Sequence, residues 1–475
     1  MLRTEGENSV ATLEESLVAK NRHLVERYSD YKNPAVGITK GINVFETLGK
    51  DADPLRKAML ATLCENFVKK AIDQKQLVET DRGGIPVWIK NGLALISASF
   101  AEDMSDQVIS MQPMSNKRGK VHYLNVQAER SKGAIAQTTQ LIKALSGFRG
   151  SQHFSSEKIV QEPAGGSGST NYTPNTGYTP VMPGTFRITD GTLNVLDDGN
   201  GNLTGDVGGG TNTINYVTGA VNVTFSGATV AAVTMSYEYN IEAALQLPEV
   251  GISLESVDVE ARPRALAAAW SQQAVFDFLN DFGMDAEPTI IDAASRVITS
   301  ERFKHIVNTL RNAATGGSVV FDNAAPAAVP YILHAKTFSI TVSRLQNLIW
   351  EKTQSVRPNV MVIAPDIWFL LGLQDGFEGE SNVANDGLTG PRKVGRLTRH
   401  GIDVFADPTF PSGSAVLTYR GPQFVNTAAI VGTYIPLYRS PIHAQGFRKD
   451  IALLTEYAIH IVDSDNIGLV SVINL

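Results

Sequence analysis

Few residues in this chain are spaced for chemistry. It has one cysteine and eight histidines among 475 residues. Cys64 is alone, so no intrachain disulfide forms, and it sits in the apolar-patterned MLATLCENFV, which reads as a buried structural thiol. No Cys/His pair has zinc spacing and no H-E-x-x-H occurs. GGSGST at 165–170 has the glycines of a phosphate loop but neither the GK[ST] ending nor a strand–helix frame. Asp198 opens an Asp-x-Asn-x-Asn run within DDGNGN. The run lacks a glycine at its sixth place and a glutamate at its twelfth, so it reads as a hairpin turn rather than a calcium loop. His305 borders an apolar helical stripe and reads as a packing residue; His153, among Ser151, Ser155 and Ser156, has no nucleophile elbow. No convergent catalytic, cofactor or metal set emerges, and an enzyme is the least favoured class.

The charged groups point to surfaces instead. SNKRGK (115–120) carries Lys117 and Arg118 beside Gly119, without interleaved aromatics, and reads as a solvated turn before any nucleic-acid contact. GPRKVGRLTRHG (390–401), with Arg392 and Lys393, is a richer basic patch that suits either a neighbour's acidic surface or packed DNA. Asp258 and Glu260 are followed by Arg262 and Arg264 at a strand-to-helix junction, either a solvated rim or ion pairs to a neighbouring chain. The whole chain carries a net charge of −7, which argues against a protein whose main task is to coat phosphates. Hydrophobic residues at 43% and charged residues at 19% describe an ordinary globular protein of two to four domains. No apolar run reaches the roughly 20 residues of a membrane span, and the acidic, polar N-terminus is unlike a signal peptide, so a soluble protein made in a cytoplasm is expected.

The elements that must hold these groups follow from periodicity. Leu13, Leu17 and Leu24 predict a first helix, and residues 54–72 a second with Pro54 in its first turn. Residues 81–86 are a turn-rich break, and 134–145 reads as a short helix. Residues 162–184 read as a Gly/Ser/Thr/Pro linker or exposed loop, followed by a compact β module in which Val233, Met235, Tyr237 and Tyr239 share a face. An extended strand follows Pro248 and ends in EARPR; a helical tract then runs over 265–282, pauses at 283–285 and continues over 288–313. Its second half puts Ile290, Ala294, Val297, Ile298, His305 or Ile306, and Leu310 on one stripe, and together the halves span on the order of 70 Å. From Ser318 strands and helices alternate, and residues 449–475 read as a strand pair.

Several stretches, in order, resemble the major capsid proteins of contractile-tail (myovirus-type) bacteriophages. ISMQPMSNKRGKVHYLNVQAERSKG (109–133) is similar to the family's QPM segment, with Gln112, Pro113 and Met114, where the chain leaves the peripheral domain for the E-loop. SLESVDVEARPRAL and its continuation to Glu301 resemble the returning strand, the basic residues before the spine helix and the G-x-DAE break within it. VRPNVMVIAPDIWFLLGL, VGRLTRHGIDVFADPTF and the YxPLY passage GTYIPLYRSPIHAQGF resemble the axial domain and the return to the peripheral domain.

The resemblance implies an α+β, HK97-like capsid fold: an N-terminal arm, an E-loop carrying the inserted Gly-rich β domain, a peripheral domain with a long spine helix, and an axial domain. Its boundaries fall at 1–80 (N-terminal helical arm or assembly segment), 81–133 (start of the peripheral domain and first E-loop strand), 134–248 (E-loop region with a β core at about 185–240), 249–317 (return strand and spine helix), 318–440 (axial domain) and 441–475 (C-terminal peripheral strands). It implies a structural, non-catalytic subunit that forms hexamers and pentamers of an icosahedral head around double-stranded DNA, without sequence-specific binding, cofactor or membrane. The implied location is the virion, after synthesis in the bacterial host cytoplasm, with scaffold, portal, vertex and decoration proteins as further partners. Gln112, Pro113, Met114, Lys117, Arg118, Gly119, Asp258, Glu260, Arg262, Arg264, Arg392 and Lys393 are the expected intersubunit contacts. Relatives often lose an N-terminal segment after a Leu/Ile-x-Glu motif; LVE occurs here at 24–26 and at 77–79, and the second, just before the turn-rich break, puts the expected cleavage after Glu79, unless the segment persists as an arm around neighbours. The alternative reading is another phage structural protein: a vertex protein, a tail component or an adhesin carrying the β module.

Overall fold

The computed structural model describes residues 18–33, 38–48, 53–73, 92–97, 100, 104–143, 147–148, 153–244, 246–282, 286–380, 391–421, 427–440 and 442–475. The chain divides into two compact units, Met1–Tyr123 with Ser256–Leu475, and Leu124–Glu255. The class is α+β.

The first unit holds a mixed seven-stranded sheet in the spatial order Ser318–Asp322, Gly468–Ile473, Ser414–Thr418, Val360–Ile363, Ile402–Ala406, Arg392–Leu397 and Phe377–Gly379. Its central strand reads VMVI because both faces are covered. Met361 and Ile363 pack under helices Phe338–Thr353 and Pro365–Gly372, whereas Val360 and Val362 pack on Phe303, Ile306, Val307 and Leu310 of helix Ala286–Ala313. A second sheet runs Arg262–Ser271, Arg448–Ile461, Ala429–Arg439, Ser110–Pro113, with His443–Gln445 added on Arg448–Ile461.

Three expectations need correcting here. Residues 265–271 form no helix: Arg262–Ser271 is a strand, paired residue by residue with Arg448–Tyr457. Alanine favours helix by only tenths of a kcal/mol per residue, and a ten-residue ladder that also buries Trp270 against Ile291 and Ile451 outweighs it. Helix therefore begins at Gln272 and is described over Gln272–Phe282 and Ala286–Ala313, the latter about 42 Å long at 1.5 Å per residue; the expected pause at 283–285 lies outside the described residues. In the long helix the buried stripe holds Ile306 rather than His305, and includes Ser295 and Arg302, whose polarity hid the helix phase; Val297 is exposed. Last, the two C-terminal strands do not pair with each other. Arg448–Ile461 lies in the second sheet and Gly468–Ile473 in the seven-stranded one, redirected by a turn in which Asp463 accepts from the Asp465 amide.

The second unit contains Gln140–Lys143, the end of Arg118–Ala128 from Leu124 on and the first part of Val250–Glu260 up to Glu255, strands of a four-stranded sheet in which Val250–Glu260 is an edge. Residues 134–139 are turns leading into Gln140–Lys143, not a helix, since Thr138 and Thr139 bond back to and accept from Ala128. The β module packs a five-stranded sheet (Leu203–Gly205, Asn194–Asp197, Arg187–Thr189, Val233–Glu238, Lys158–Gly165) with a three-stranded one (Thr213–Ile214, Val221–Thr224, Asn171–Tyr172). Its core includes Ile159, Phe186, Ile188, Val195, Val223, Phe225 and Tyr237. The stretch expected to be a linker is part of it: Lys158–Gly165 pairs with Val233–Glu238, and Tyr172 and Tyr178 are buried. Gly/Ser/Thr/Pro composition concealed these two aromatic anchors.

At the module's base, Lys132 is 4% exposed. Its ammonium donates to the carbonyls of His153 and Phe154 at 2.8 Å each and to that of Ser156, and lies 5.4 Å from the Tyr239 ring centre. Burial lowers its pKa to about 8. Neighbouring Gly133 has φ +58°, and a Cβ there would meet the Val160 carbonyl oxygen at 2.3 Å.

Candidate assembly surface

The stretch with the strongest local signal in the sequence is a corner. Pro113 ends the edge strand Ser110–Pro113, which pairs in parallel with Ile430–Thr433, a place where its missing N–H costs no ladder bond. Met114 still donates its amide to Thr433 O at 2.8 Å; residues 115–117 bend, and the strand Arg118–Ala128 departs. Gly119, expected to permit the turn, is instead the second residue of that strand. Its missing side chain makes room for Met114: a Cβ on Gly119 would lie 3.0 Å from Met114 Cε, and one on Gly432 2.6 Å from Met114 Sδ. The thioether is thus seated between two glycines, where any larger residue would displace it.

The expected contact residues separate into two kinds. Gln112 and Met114 are buried inside their own subunit, and Gly119 is partly covered. Lys117, Arg118 and Lys120 are exposed. Arg118 reaches Glu260 at 3.6 Å and Lys120 reaches Asp258 at 3.9 Å, cross-strand pairs with every side chain more than half exposed. Such pairs are worth at most a fraction of a kcal/mol each. Arg262 is exposed, and Arg264 lies with its guanidinium 5.5 Å from the Tyr457 ring centre, from which that of Arg302 is 5.1 Å away. Lys393 bonds Asp403 at 3.1 Å, while Arg392 begins the Arg392–Leu397 strand next to it. Glu79 lies outside the described residues.

Each unit also exposes large apolar side chains. On the return strand Val250, Ile252 and Leu254 alternate outward at 60%, 74% and 58% exposure. Phe276 and Leu279 on helix Gln272–Phe282 and Phe447 in the turn before Arg448–Ile461 are also exposed. Sequence inspection found the return-strand alternation but missed Phe447, whose single aromatic in a turn carries no period.

The chemical motifs resolve into packing. Tyr172 hydroxyl donates to Gly166 O at 2.5 Å, and Gly168 N–H to Thr229 O at 2.8 Å, so GGSGST is a loop stitched onto the module. Asp198 Oδ1 accepts the amides of Asn200 and Asn202 at 2.7 and 3.1 Å, closing the hairpin. His305 Nδ1 lies 3.1 Å from the Tyr457 hydroxyl. Burial, then the nearby Arg264 charge, lowers its pKa. Cys64 is fully buried, and burial pushes its thiol up, as the Glu65 charge does to a lesser extent. Among the described residues no cluster of three His, Cys, Asp or Glu could hold a metal ion.

Two residues that sequence inspection passed over hold the corner from behind. Asn66 Nδ2 donates to Met114 O at 2.7 Å and to Tyr434 O at 3.0 Å, and Lys70 Nζ to Glu456 Oε1 at 2.7 Å. Their only sequence signal is a polar pair four residues apart on the otherwise buried face of a helix.

A family model described as major capsid protein Gp23 matches residues 85–468. The major capsid protein of Serratia phage KSP90 is 24% identical over 224 residues, 44% of this chain and 50% of that protein, so the chain spans about half the length of this curated relative. A solved structure from Mycobacterium phage Cain aligns over 78% of this chain and 90% of its own, with a TM-score of 0.36 and 7% identity. The capsid of Myoviridae phage XM1 aligns over 48% and 78%, with a TM-score of 0.31 and 8% identity. The matched residues 85–468 take in the corner, the arm strands, the β module, the long helix and six of the seven strands of the mixed sheet; the chain belongs to the Gp23 family of major capsid proteins.

Proposed function

We propose that the chain is a shell subunit of a tailed-phage head, structural and non-catalytic, which self-assembles into hexamers and pentamers around double-stranded DNA. The family match over residues 85–468 carries this reading. In the HK97-like arrangement it implies, the strands Arg118–Ala128 and Val250–Glu260 with the inserted module form the E-loop. The second sheet and the long helix form the peripheral domain, and the seven-stranded sheet the axial domain. The outward Val250, Ile252 and Leu254 support an arm that lies on another copy, because a thin, apolar-edged arm gains little from facing water.

Lys117, Arg118, Asp258, Glu260, Arg262, Arg264, Arg392 and Lys393 act in this reading as rim contacts between copies, while Gln112, Pro113, Met114 and Gly119 act through the direction of the corner. Each contact is weak, and many per subunit multiply. Cleavage after Glu79 is the processing step the reading allows, and scaffold, portal, vertex and decoration proteins are its further partners. Electron microscopy of the expressed chain, alone and with scaffold, tests it: shells, tubes or capsomers are expected. Small monomers persisting across a range of salt would exclude it.

A further inference from the structure

The face of the second sheet behind the corner is filled by a separate stretch of the chain. Leu60, Leu63, Cys64 and Phe67 of helix Pro54–Asp73 are fully buried, with Tyr28 and Tyr31, against Met111, Ile435 and Tyr438. This N-terminal piece is held together on its own account: Tyr28 hydroxyl and Arg27 Nη1 each bond Glu65 Oε2 at 2.9 Å, joining the helix at 18–29 to Pro54–Asp73.

The sheet offers the piece polar as well as apolar partners. The Tyr434 carbonyl lies where the ladder between Ala429–Arg439 and Arg448–Ile461 shifts register, between Thr433 and Ile435. Met114 O lies just past the end of its strand. Both carbonyls accept from Asn66. Four residues on, Lys70 meets Glu456, with side chains only 21% and 8% exposed, and its ammonium lies 5.6 Å from the Tyr438 ring centre. Two carbonyls that accept from one amide, one buried carboxylate and an apolar bed define what fits: an amphipathic helix carrying an amide donor and an ammonium one turn apart.

We infer that this face is a helix-binding site whose ligand is the chain's own residues 18–73, held as a non-covalent partner that stays bound when the backbone between 74 and 91 is cut. The inference goes beyond the head-shell reading and does not depend on it. In that setting, processing after Glu79 would yield a two-piece subunit rather than a shortened one, and the corner that launches the arm would keep its support.

The test replaces residues 81–86 of the full chain with the recognition sequence of a site-specific protease, cuts the folded protein, and runs it on native size-exclusion chromatography. Both pieces are expected in one peak, separating only in denaturant. Asn66→Ala and Lys70→Met in the cut protein are each expected to speed release of the short piece by about tenfold or more, the loss of a hydrogen bond to a buried acceptor. Thermal melting of the same variants uncut shows that they still fold. Separation of the unsubstituted pieces under native conditions overturns the inference, whether the long piece stays soluble or precipitates. So does release unchanged by both substitutions. A chain that forms no shells leaves this result untouched, so the two readings fail separately.

Discussion

Gly119→Val puts a branched side chain against Met114, whose room to shift is limited on its other side by Gly432. Its Cβ would stand 3.0 Å from Met114 Cε and 3.4 Å from Cγ, and Met114 is backed by Gly432, where a Cβ would find Sδ at 2.6 Å. Overpacking of this kind costs about 1–3 kcal/mol. Strand preference returns up to about 1 kcal/mol, because Gly119 lies in the extended strand Arg118–Ala128 where valine is favoured over glycine. The net, about 0–2 kcal/mol, is small against a folding stability of roughly 5–15 kcal/mol, so the subunit stays folded. The strain emerges as a changed direction of the departing strand. A shell repeats that error at each contact, and about 1.4 kcal/mol is a factor of ten in each association constant. Thermal melting followed by circular dichroism is expected to fall by a few degrees, while the yield of particles in electron micrographs falls at least about tenfold. Met114→Ala combined with Gly119→Val reopens the space and is expected to recover part of that yield. Normal particles from Gly119→Val would refute the reasoning, as would wholesale unfolding, since the strain is argued to be local.

Other outcomes follow from the same packing. Lys132→Met removes the ammonium that three carbonyls share and is expected to destabilise the Leu124–Glu255 unit by about 2–4 kcal/mol, read from the urea midpoint. Gly133→Ala meets the Val160 carbonyl, a backbone atom that cannot give way, at a positive φ, and is expected to cost about 2 kcal/mol or more by the same measurement. Trp270→Ala empties the site between Ile291 and Ile451 and is expected to cost about 3–5 kcal/mol by chemical denaturation; a loss under 1 kcal/mol would return residues 265–271 to an unpaired helix. The β module should weaken in acid. The Leu193 amide, with those of Val230 and Thr192, holds the Asp190 carboxyl at about 2, below its unfolded value of roughly 3.9. Its contribution is therefore present above about pH 4 and is lost as pH falls through about 2, which a pH series of melting curves on Asp190→Asn and the parent chain would show.

Much of the architecture was legible from local pattern. Pro54 marked a helix start, NVMVIAP a strand, Pro113 a strand's end or edge, and the alternation of Val233, Met235 and Tyr237 a sheet face. These signals survive because propensity, period and tertiary place agree. Where they disagree, tertiary place decides. The run ALAAAWS has helical composition but sits beside Arg448–Tyr457 and becomes a strand. Residues 162–184 have linker composition but contribute Tyr172 and Tyr178 to a core.

The assembly surface was legible only in outline. The sequence by itself determined that the chain lacks a convergent catalytic set, that it is long and mildly acidic, and that its ordered motifs are those of a capsid family. Each is a property of residue identity and order along one dimension. Only the tertiary structure decided that Gly119 makes room for a side chain rather than a turn, that Arg118 and Lys120 answer Glu260 and Asp258 within the chain, and that Asn66 holds the carbonyls behind the corner. Those contacts join residues 48 to 368 positions apart in the case of Asn66. No local period encodes such a pairing, because it depends on where the second sheet's ladder shifts register and on which side chain packs behind it.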